Sequence, residues 1–490
     1  MREVPEIRVR AVNQAAIRDD GAYVVYWMTA YRRLTYNWSL ERAANHARRL
    51  HKPLVIFEAL RADYPWASDR IHRFVLDGMA DNARECAGRG VPYLPYVEPA
   101  PGAAKGLLEA LAARACVVVT DDTPRFFLPH MLRAAAARLE VRLEAVDGNG
   151  LLPLAAVEAV YPTAFAFRRL LQMKLPAHLT EQPAADPLAR ALPPYAPPFM
   201  PQDIVRRWPP AKLSFLAGDG EALAKLPIEH AIPPAAGVVG GTRAGVTALK
   251  RFLDERLDRY ALLRNHPDEN ATSGFSPYLN FGYLGTHQVL AELARRERWT
   301  PEKLGTKASG KREHWWGMSS AAEAFLDQLV TWRELGLNFA AKRDDFGAYD
   351  SLPPWARRTL EAHAADPRLY LYTAAQLEAA ATHDPIWNAA QTQLAREGKI
   401  HNYVRMLWGK KIIEWSPSPQ AALEIMIELN NRYALDGRDP NSYAGICWCF
   451  GRYDRPWGPE RPIFGTVRYM SSENAARKLS LKGYVRRYAP

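Results

Sequence analysis

The sequence predicts an α/β unit built on a parallel sheet in its first third and an all-helical unit in its second half. Three observations carry this. Before residue 150, five short runs of apolar and β-branched residues alternate with helical stretches. Between residues 183 and 236 the chain turns proline-rich. Beyond that stretch, apolar residues recur with helical spacing through most of the remaining segments.

The expected strands are AYVVYWM (22–28), PLVIFEAL (53–60), VPYLPYV (91–97), CVVVTDD (116–122) and VRLEAVD (141–147). Amphipathic segments at 39–50 and 102–114 are long enough to cross over between parallel neighbours. No Gly-x-Gly-x-x-Gly follows the first run, so the ordinary dinucleotide fingerprint is absent. ALPPYAPPFMPQ and AIPPAAG read as an interdomain connection, which sets expected units at 1–182, 183–236 and 237–490. The helical unit opens on GGTRAGVTALKRFLDERLDRYALLRN, with Thr242 as its expected cap.

A chain of 490 residues can bury more than one core. Its 64 lysines and arginines against 53 acidic residues leave a net charge of +11, which favours a polyanionic partner without identifying one. Cys86, Cys116, Cys447 and Cys449 form neither a disulfide framework nor a zinc spacing. The opening MREVPEIRVR has no apolar signal core, and no run of about 18 apolar residues occurs. A cytoplasmic protein without a membrane span is therefore expected, nuclear or organellar if eukaryotic. Nine of the 14 tryptophans fall between Trp315 and Trp457, which calls for a reason beyond filling a core.

Five segments carry candidate chemistry. SGFSPYLNFG (273–282) places hydroxyls and a glycine at a helix start, where they suit a phosphate or simply cap the helix. In HDPIWNAAQ and KIHNYVRMLWGKKIIEW, Trp408 and Trp415 stand two turns apart on one face, and Trp387 on an antiparallel neighbour would fall between them. The three form a chain of indole contacts or a core seam. Arg405, one turn from Trp408, needs an anionic partner. LNNRYALDGRDPNSYAGICWCF supplies Asp436 and, further on, Trp448. In FLDQLVTWREL, Gln328 and Trp332 share a helix side.

Together these segments resemble the photolyase/cryptochrome superfamily, and class II photolyases in particular. The likeness extends from YNWSLERA (36–43) to ERPIFGTVRYM (460–470) and is most specific in THDPIWNAAQ, RMLWGKKIIEW and LDGRDPNSY. It implies a Rossmann-like α/β antenna domain, an all-α domain holding FAD, and light-driven splitting of cyclobutane pyrimidine dimers in DNA by electron transfer from the excited FADH⁻ form. For the first domain it leaves open a deazaflavin such as 8-hydroxy-deazaflavin, another antenna or none, with Trp38 and the strand ends as the neighbourhood; action as a monomer is implied, and no metal is. By position, Tyr260, Asn265, Ser273, Gly274, Phe275 and Ser276 resemble FAD contacts. Arg405 and Asp436 resemble the ion pair beside the flavin ring, and Asn430 the asparagine facing its redox-active nitrogen. Trp408, Trp387 and Trp415 match a proximal, middle and distal electron relay to the surface, and Trp332, Met406 and Trp448 match the lesion pocket. Arg468 matches a residue entering the duplex, while Arg452, Arg455 and Arg461 are either phosphate contacts or a solvated face.

Gln328 departs from the family, which has glutamate there; its amide can donate a hydrogen bond to a dimer carbonyl but cannot supply a proton. The same substitution suits a cryptochrome-like photoreceptor that has lost repair. Repair of a (6-4) photoproduct would call for a pocket histidine, for which His401 is the nearby candidate. A flavin-free nucleotide-binding protein would leave the tryptophans unexplained.

Overall fold

The computed structural model describes residues 3–195 and 200–489, so 196–199 of the proline-rich stretch and Pro490 lie outside the described residues. The α/β unit holds one six-stranded sheet: β1 (Val9–Ala11), β2 (Tyr23–Met28), β3 (Leu54–Leu60), β4 (Tyr93–Val97), β5 (Ala115–Asp122) and β6 (Leu143–Asp147). Their order is β1-β6-β5-β2-β3-β4, parallel throughout except for β1 against β6. The five parallel strands coincide with the five apolar runs because both sheet faces are covered, so each strand reads as a continuous hydrophobic run. The antiparallel edge β1 has no such signal: VRA is short and half exposed. Helices α1 (Trp38–Leu50), α2 (Asp69–Gly88), α3 (Leu107–Ala112) and α4 (Leu128–Ala136) provide the crossovers.

The strand order reverses between β2 and β5, where parallel sheets usually bind ligands at their carboxyl ends. Here the turn after β2 wraps a carboxylate of the protein itself. Asp121 accepts from the backbone N–H groups of Thr29, Ala30 and Tyr31 at 2.9, 2.7 and 2.9 Å and from the Tyr26 hydroxyl at 2.9 Å. That internal anion explains why no glycine-rich loop is needed. Trp38 is likewise core, under the Arg8 guanidinium at 5.6 Å and edge-on to His287, rather than the wall of an antenna site.

Part of the proline-rich stretch also packs. Met200, Ile204 and Trp208 join the core under the sheet, and Leu216 and Leu223 lie against α2. The helical unit then runs through α5 (Ala164–Lys174), which precedes that stretch, and α6 (Thr242–Glu255), α7 (Ser276–Asn280), α8 (Ser320–Leu326), α9 (Arg333–Lys342), α10 (Pro385–Glu397), α11 (Asn402–Trp415), α12 (Pro419–Tyr433) and α13 (Pro440–Cys449). Thr242 does not cap α6. It is the first helical residue, its hydroxyl has no partner, and Asp81 of α2 instead takes the Arg243 N–H at 3.1 Å.

The two units are bolted together by buried charge. Arg333 donates to the Asn149 carbonyl at 2.7 Å, and Glu334 accepts from Leu151 and Leu152 N–H at 2.7 and 3.1 Å. Burial pushes the Glu334 carboxyl up to about 7. Gly282, at φ +74, brings the 280–282 turn against the end of β2, where any Cβ would meet the Ala30 carbonyl at 1.9 Å. Among the described residues, no helix is long and apolar enough to cross a membrane, and no group of three or more His, Cys, Asp or Glu could hold a metal ion.

Candidate functional site

The site grows from α11. Its N-terminal half carries Arg405, whose Nη1 donates to both oxygens of Asp436 at 2.9 and 3.1 Å, while Nη2 donates to the Ser442 hydroxyl at 3.1 Å and closely to Asn430 Oδ1. The Asn430 amide donates in turn to Ser442 Oγ at 2.9 Å and to Asn431 at 3.1 Å. Three helices thus contribute to one polar knot: α11 supplies the cation, the end of α12 the amides and the start of α13 the hydroxyl. Its outer side is partly open, with Arg405 and Asp436 retaining 15% and 13% side-chain exposure. Ser442, which the sequence reading missed, is as central as Asn430; its signal was its place three residues after Asp439, the residue capping α13.

One turn on, α11 and α10 form a sealed aromatic seam. Trp387 lies parallel to Trp408, centroids 6.4 Å apart at 4°, and edge-on to Trp415 at 5.6 Å. Both ends of α10 are defined: Asp384 caps it through the Ile386 and Trp387 N–H groups, and Gly398 ends it in the left-handed region. Indole N–H groups find neutral acceptors, Trp387 the Trp408 carbonyl and Trp408 the Gln391 amide, each at 3.0 Å. Exposure of Trp387, Trp408 and Trp415 is 0, 2 and 2%. Trp415 is therefore not the surface residue expected of it. The 366–373 coil folds over the end of α11, and Trp415 meets Tyr372 at 5.4 Å and His383 at 5.3 Å, with the exposed Tyr370 ring stacked on His383 at 3.8 Å.

Gln328 and Trp332 lie on a π-helix, Asp327–Trp332, between α8 and α9. Such wide turns recur at functional sites because they re-aim side chains. Asp327 is held in a buried ion pair with Arg168 of α5 at 2.8 Å, and Gln328 is half-buried. Met406 and Trp448 are also half-buried, on the packed faces of α11 and α13, and Trp332 meets Tyr453 edge-on at 6.5 Å. Lys410, one turn beyond Met406, has its ammonium 5.3 Å from the Trp448 ring centre. The sequence reading passed over it.

The remaining expected residues divide. Gly274 is exposed at φ +75 with nothing within 4 Å of a Cβ position, and Asn265, Ser273 and Ser276 are half-buried around it in sequence. Phe275 is a core residue instead, edge-on to Phe252 at 5.3 Å and Phe325 at 5.9 Å, and Tyr260 packs on the same two rings. His401 is largely buried, and burial lowers it to about 4 against a hydrogen bond with the Arg264 backbone, so it stays neutral at ordinary pH. Arg468 is half-buried with its guanidinium 4.3 Å from the Trp457 ring, and Arg455 takes the same ring at 4.4 Å. Arg455 and Arg461 are exposed. Arg452 is not available to a phosphate: it is 3% exposed, lies 4.1 Å over Phe339 and donates to the Phe346 carbonyl and the Ser351 hydroxyl.

Comparison with known proteins gives this arrangement its relatives. Residues 24–185 match the DNA photolyase family. A deoxyribodipyrimidine photo-lyase of Methanothermobacter thermautotrophicus is 35% identical over 98% of this chain and 97% of its own length. That of Potorous tridactylus is 30% identical over 99% and 84%. The crystal structure of a class III photolyase from Agrobacterium tumefaciens superposes with a TM-score of 0.68 at 19% identity, covering 96% of this chain and 86% of that one, a likeness of fold. With identity of this extent running through both the sheet and the helical unit, the chain belongs to the deoxyribodipyrimidine photo-lyase family of the photolyase/cryptochrome superfamily.

Proposed function

We propose that this chain is a class II photolyase that splits cyclobutane pyrimidine dimers in DNA under blue light, with FAD, active as FADH⁻, as its bound cofactor. The observation that carries the reading is the continuity along α11 from the Arg405 knot to the Trp408–Trp387–Trp415 seam. A guanidinium, amides and hydroxyls at a partly open mouth suit the carbonyls and nitrogens of a flavin ring, and the open backbone at Gly274 suits a phosphate chain. Bound FAD supplies the light-driven one-electron chemistry.

The chain's own residues do the rest. Asp436 holds the Arg405 guanidinium in place, and Ser442 orients the Asn430 amide. Trp408, Trp387 and Trp415 would offer bound FAD a chain of neighbouring rings along which electrons could reach it. Trp332, Trp448 and Met406 form apolar walls for a dimer flipped out of the helix, and the Gln328 amide donates a hydrogen bond to a dimer carbonyl. Arg468 enters the duplex, while Arg455 and Arg461 meet phosphates. An antenna chromophore, of deazaflavin type, would sit at the aromatic cluster of Tyr64, Trp66, Phe126 and Phe127 after β3 and β5, where Trp66 and Phe126 are held at positive φ. Action as a monomer in the compartment that holds the DNA completes the proposal.

Gln328 favours one competing reading, a cryptochrome-like photoreceptor without repair. The two separate in one experiment: the photoreduced protein is given dimer-containing duplex DNA in light and in darkness, and thymine absorbance is followed. Recovery in light alone is the expected result. Photoreduction without recovery would replace repair by signalling.

A further inference from the structure

Trp448 has the same side chain as the seam tryptophans and stands at the end of the same helix that supplies Ser442, so its indole is as oxidisable in principle as theirs. Its charge environment differs. Lys410 Nζ lies 5.3 Å from the ring centre and Arg468 Cζ 5.8 Å. Among the described residues, no cation lies over Trp387 or Trp408. Trp415 has Lys411 at 5.6 Å, but that ammonium is paired with Glu414 at 2.8 Å, so its field is largely cancelled.

Lys410 itself is an unusual group. It is fully buried, donates to the Cys449 carbonyl at 2.6 Å, and has Phe464 at 6.0 Å on its other side; among the described residues no carboxylate lies within ion-pair distance of it. A buried ammonium whose nearby carboxylate, Asp454, lies beyond ion-pair distance is costly, and its presence beside a candidate site is informative. Lys410 stands one turn beyond Met406 and two residues beyond Trp408, where α11 turns its faces to the pocket wall and to the seam.

We propose that Lys410, seconded by Arg468, keeps Trp448 from being oxidised, so that the electron that reduces the flavin leaves Trp408 and not the wall of the lesion pocket. This rests on the reading of the seam and the wall given above. The suppressed step is a one-electron transfer: Trp448 loses an electron, the flavin gains it, and no bond forms or breaks. Oxidation would turn a neutral ring that attracts the ammonium into a cation that repels it, across a few ångströms of poorly screening interior. The bond to the Cys449 carbonyl fixes the ammonium beforehand, so no reorganisation weakens the effect. A hole on Trp448 would sit where the dimer must hold an extra electron and would recapture it, which is why the wall has to be protected.

The test uses flavin-loaded holoenzymes, with occupancy read by absorbance: wild type, Trp408→Phe, Trp408→Phe/Lys410→Met, and the latter with Trp448→Phe. Each is illuminated with blue light, photoreduction is followed, and tryptophan oxidation products are mapped by mass spectrometry. Trp408→Phe is expected to lose photoreduction. Adding Lys410→Met, close in shape and uncharged, is expected to restore it at least about tenfold and to place oxidation products on Trp448. Adding Trp448→Phe abolishes both. A second arm leaves position 410 unaltered. Burial lowers the Lys410 ammonium to about 8, and it faces Cys449, whose thiol burial pushes up to about 11, Asp454 and Arg468. In Trp408→Phe, photoreduction should therefore rise between about pH 7 and 9 as the ammonium is lost, and Lys410→Met should remove that rise. Equal photoreduction in Trp408→Phe with and without Lys410→Met, with no pH dependence and no oxidised Trp448, overturns the proposal alone. Undiminished photoreduction in Trp408→Phe overturns the relay reading and the proposal with it.

Discussion

Trp387, Trp408 and Trp415 are sealed in the core, and the first two donate their N–H groups to neutral acceptors, whereas Trp448 and Trp457 stand half-exposed beside cations. The same side chain is placed in two settings, the first group on α10 and α11 and the second on α13 and the segment after it. Under the proposed function one group is a dry relay in which rings touch rings, and the other is a wall whose cations suit an anionic ligand and an incoming negative charge. Separating supply from use in this way lets each be altered without the other, and the comparison can be broken by substitutions that respect or cross the boundary.

The largest effect is expected on the seam. Trp408→Phe or Trp387→Phe should bring flavin photoreduction to background while leaving DNA affinity unchanged, and Trp415→Phe should do less, because Tyr372 and His383 already touch that end. Next comes the knot that both regions share. Asp436→Asn leaves the Arg405 guanidinium without its counter-charge in a partly buried site, at a cost of about 2–3 kcal/mol in unfolding free energy and with loss of flavin retention on gel filtration.

Glu334 tests the joint that positions α9 and hence the wall. Its folded carboxyl is raised to about 7 from an ordinary 4.5, so the folded state holds a proton that the unfolded state has lost between those values, and stability falls as pH rises through that window. Glu334→Gln should raise the melting temperature at pH 8, by the equivalent of about 1–3 kcal/mol, and lose this advantage toward pH 4.5. Arg455→Ala and Arg461→Ala should each lower the salt slope of DNA binding by about one, whereas Arg452→Ala should leave the slope unchanged and destabilise the fold. The smallest change is Gln328→Glu, expected to raise the splitting yield severalfold by adding a proton donor, with photoreduction unaltered.

Much of this was legible in the sequence for identifiable reasons. Strands buried on both faces announce themselves as apolar runs, and the two-turn spacing of Trp408 and Trp415 left one place for Trp387. What escaped depends on partners distant in sequence. Nothing local says that Arg452 folds back onto Phe339 while Arg455 does not, that the 366–373 coil covers Trp415, or that Asp121 fills the crevice a phosphate would occupy. Lys410 escaped because a lysine beside another lysine reads as a solvated pair, and only packing shows both of them buried.

The separation of supply from use is tested most directly by chemical reduction of Trp408→Phe and of Trp448→Ala in the dark, followed by illumination with dimer-containing DNA. Chemically reduced Trp408→Phe should restore thymine absorbance as fast as the wild type, because its only defect is in refilling the cofactor, and Trp448→Ala should remain slow however it is reduced. Slow repair by fully reduced Trp408→Phe, or wild-type repair by Trp448→Ala, would contradict the division of the two groups.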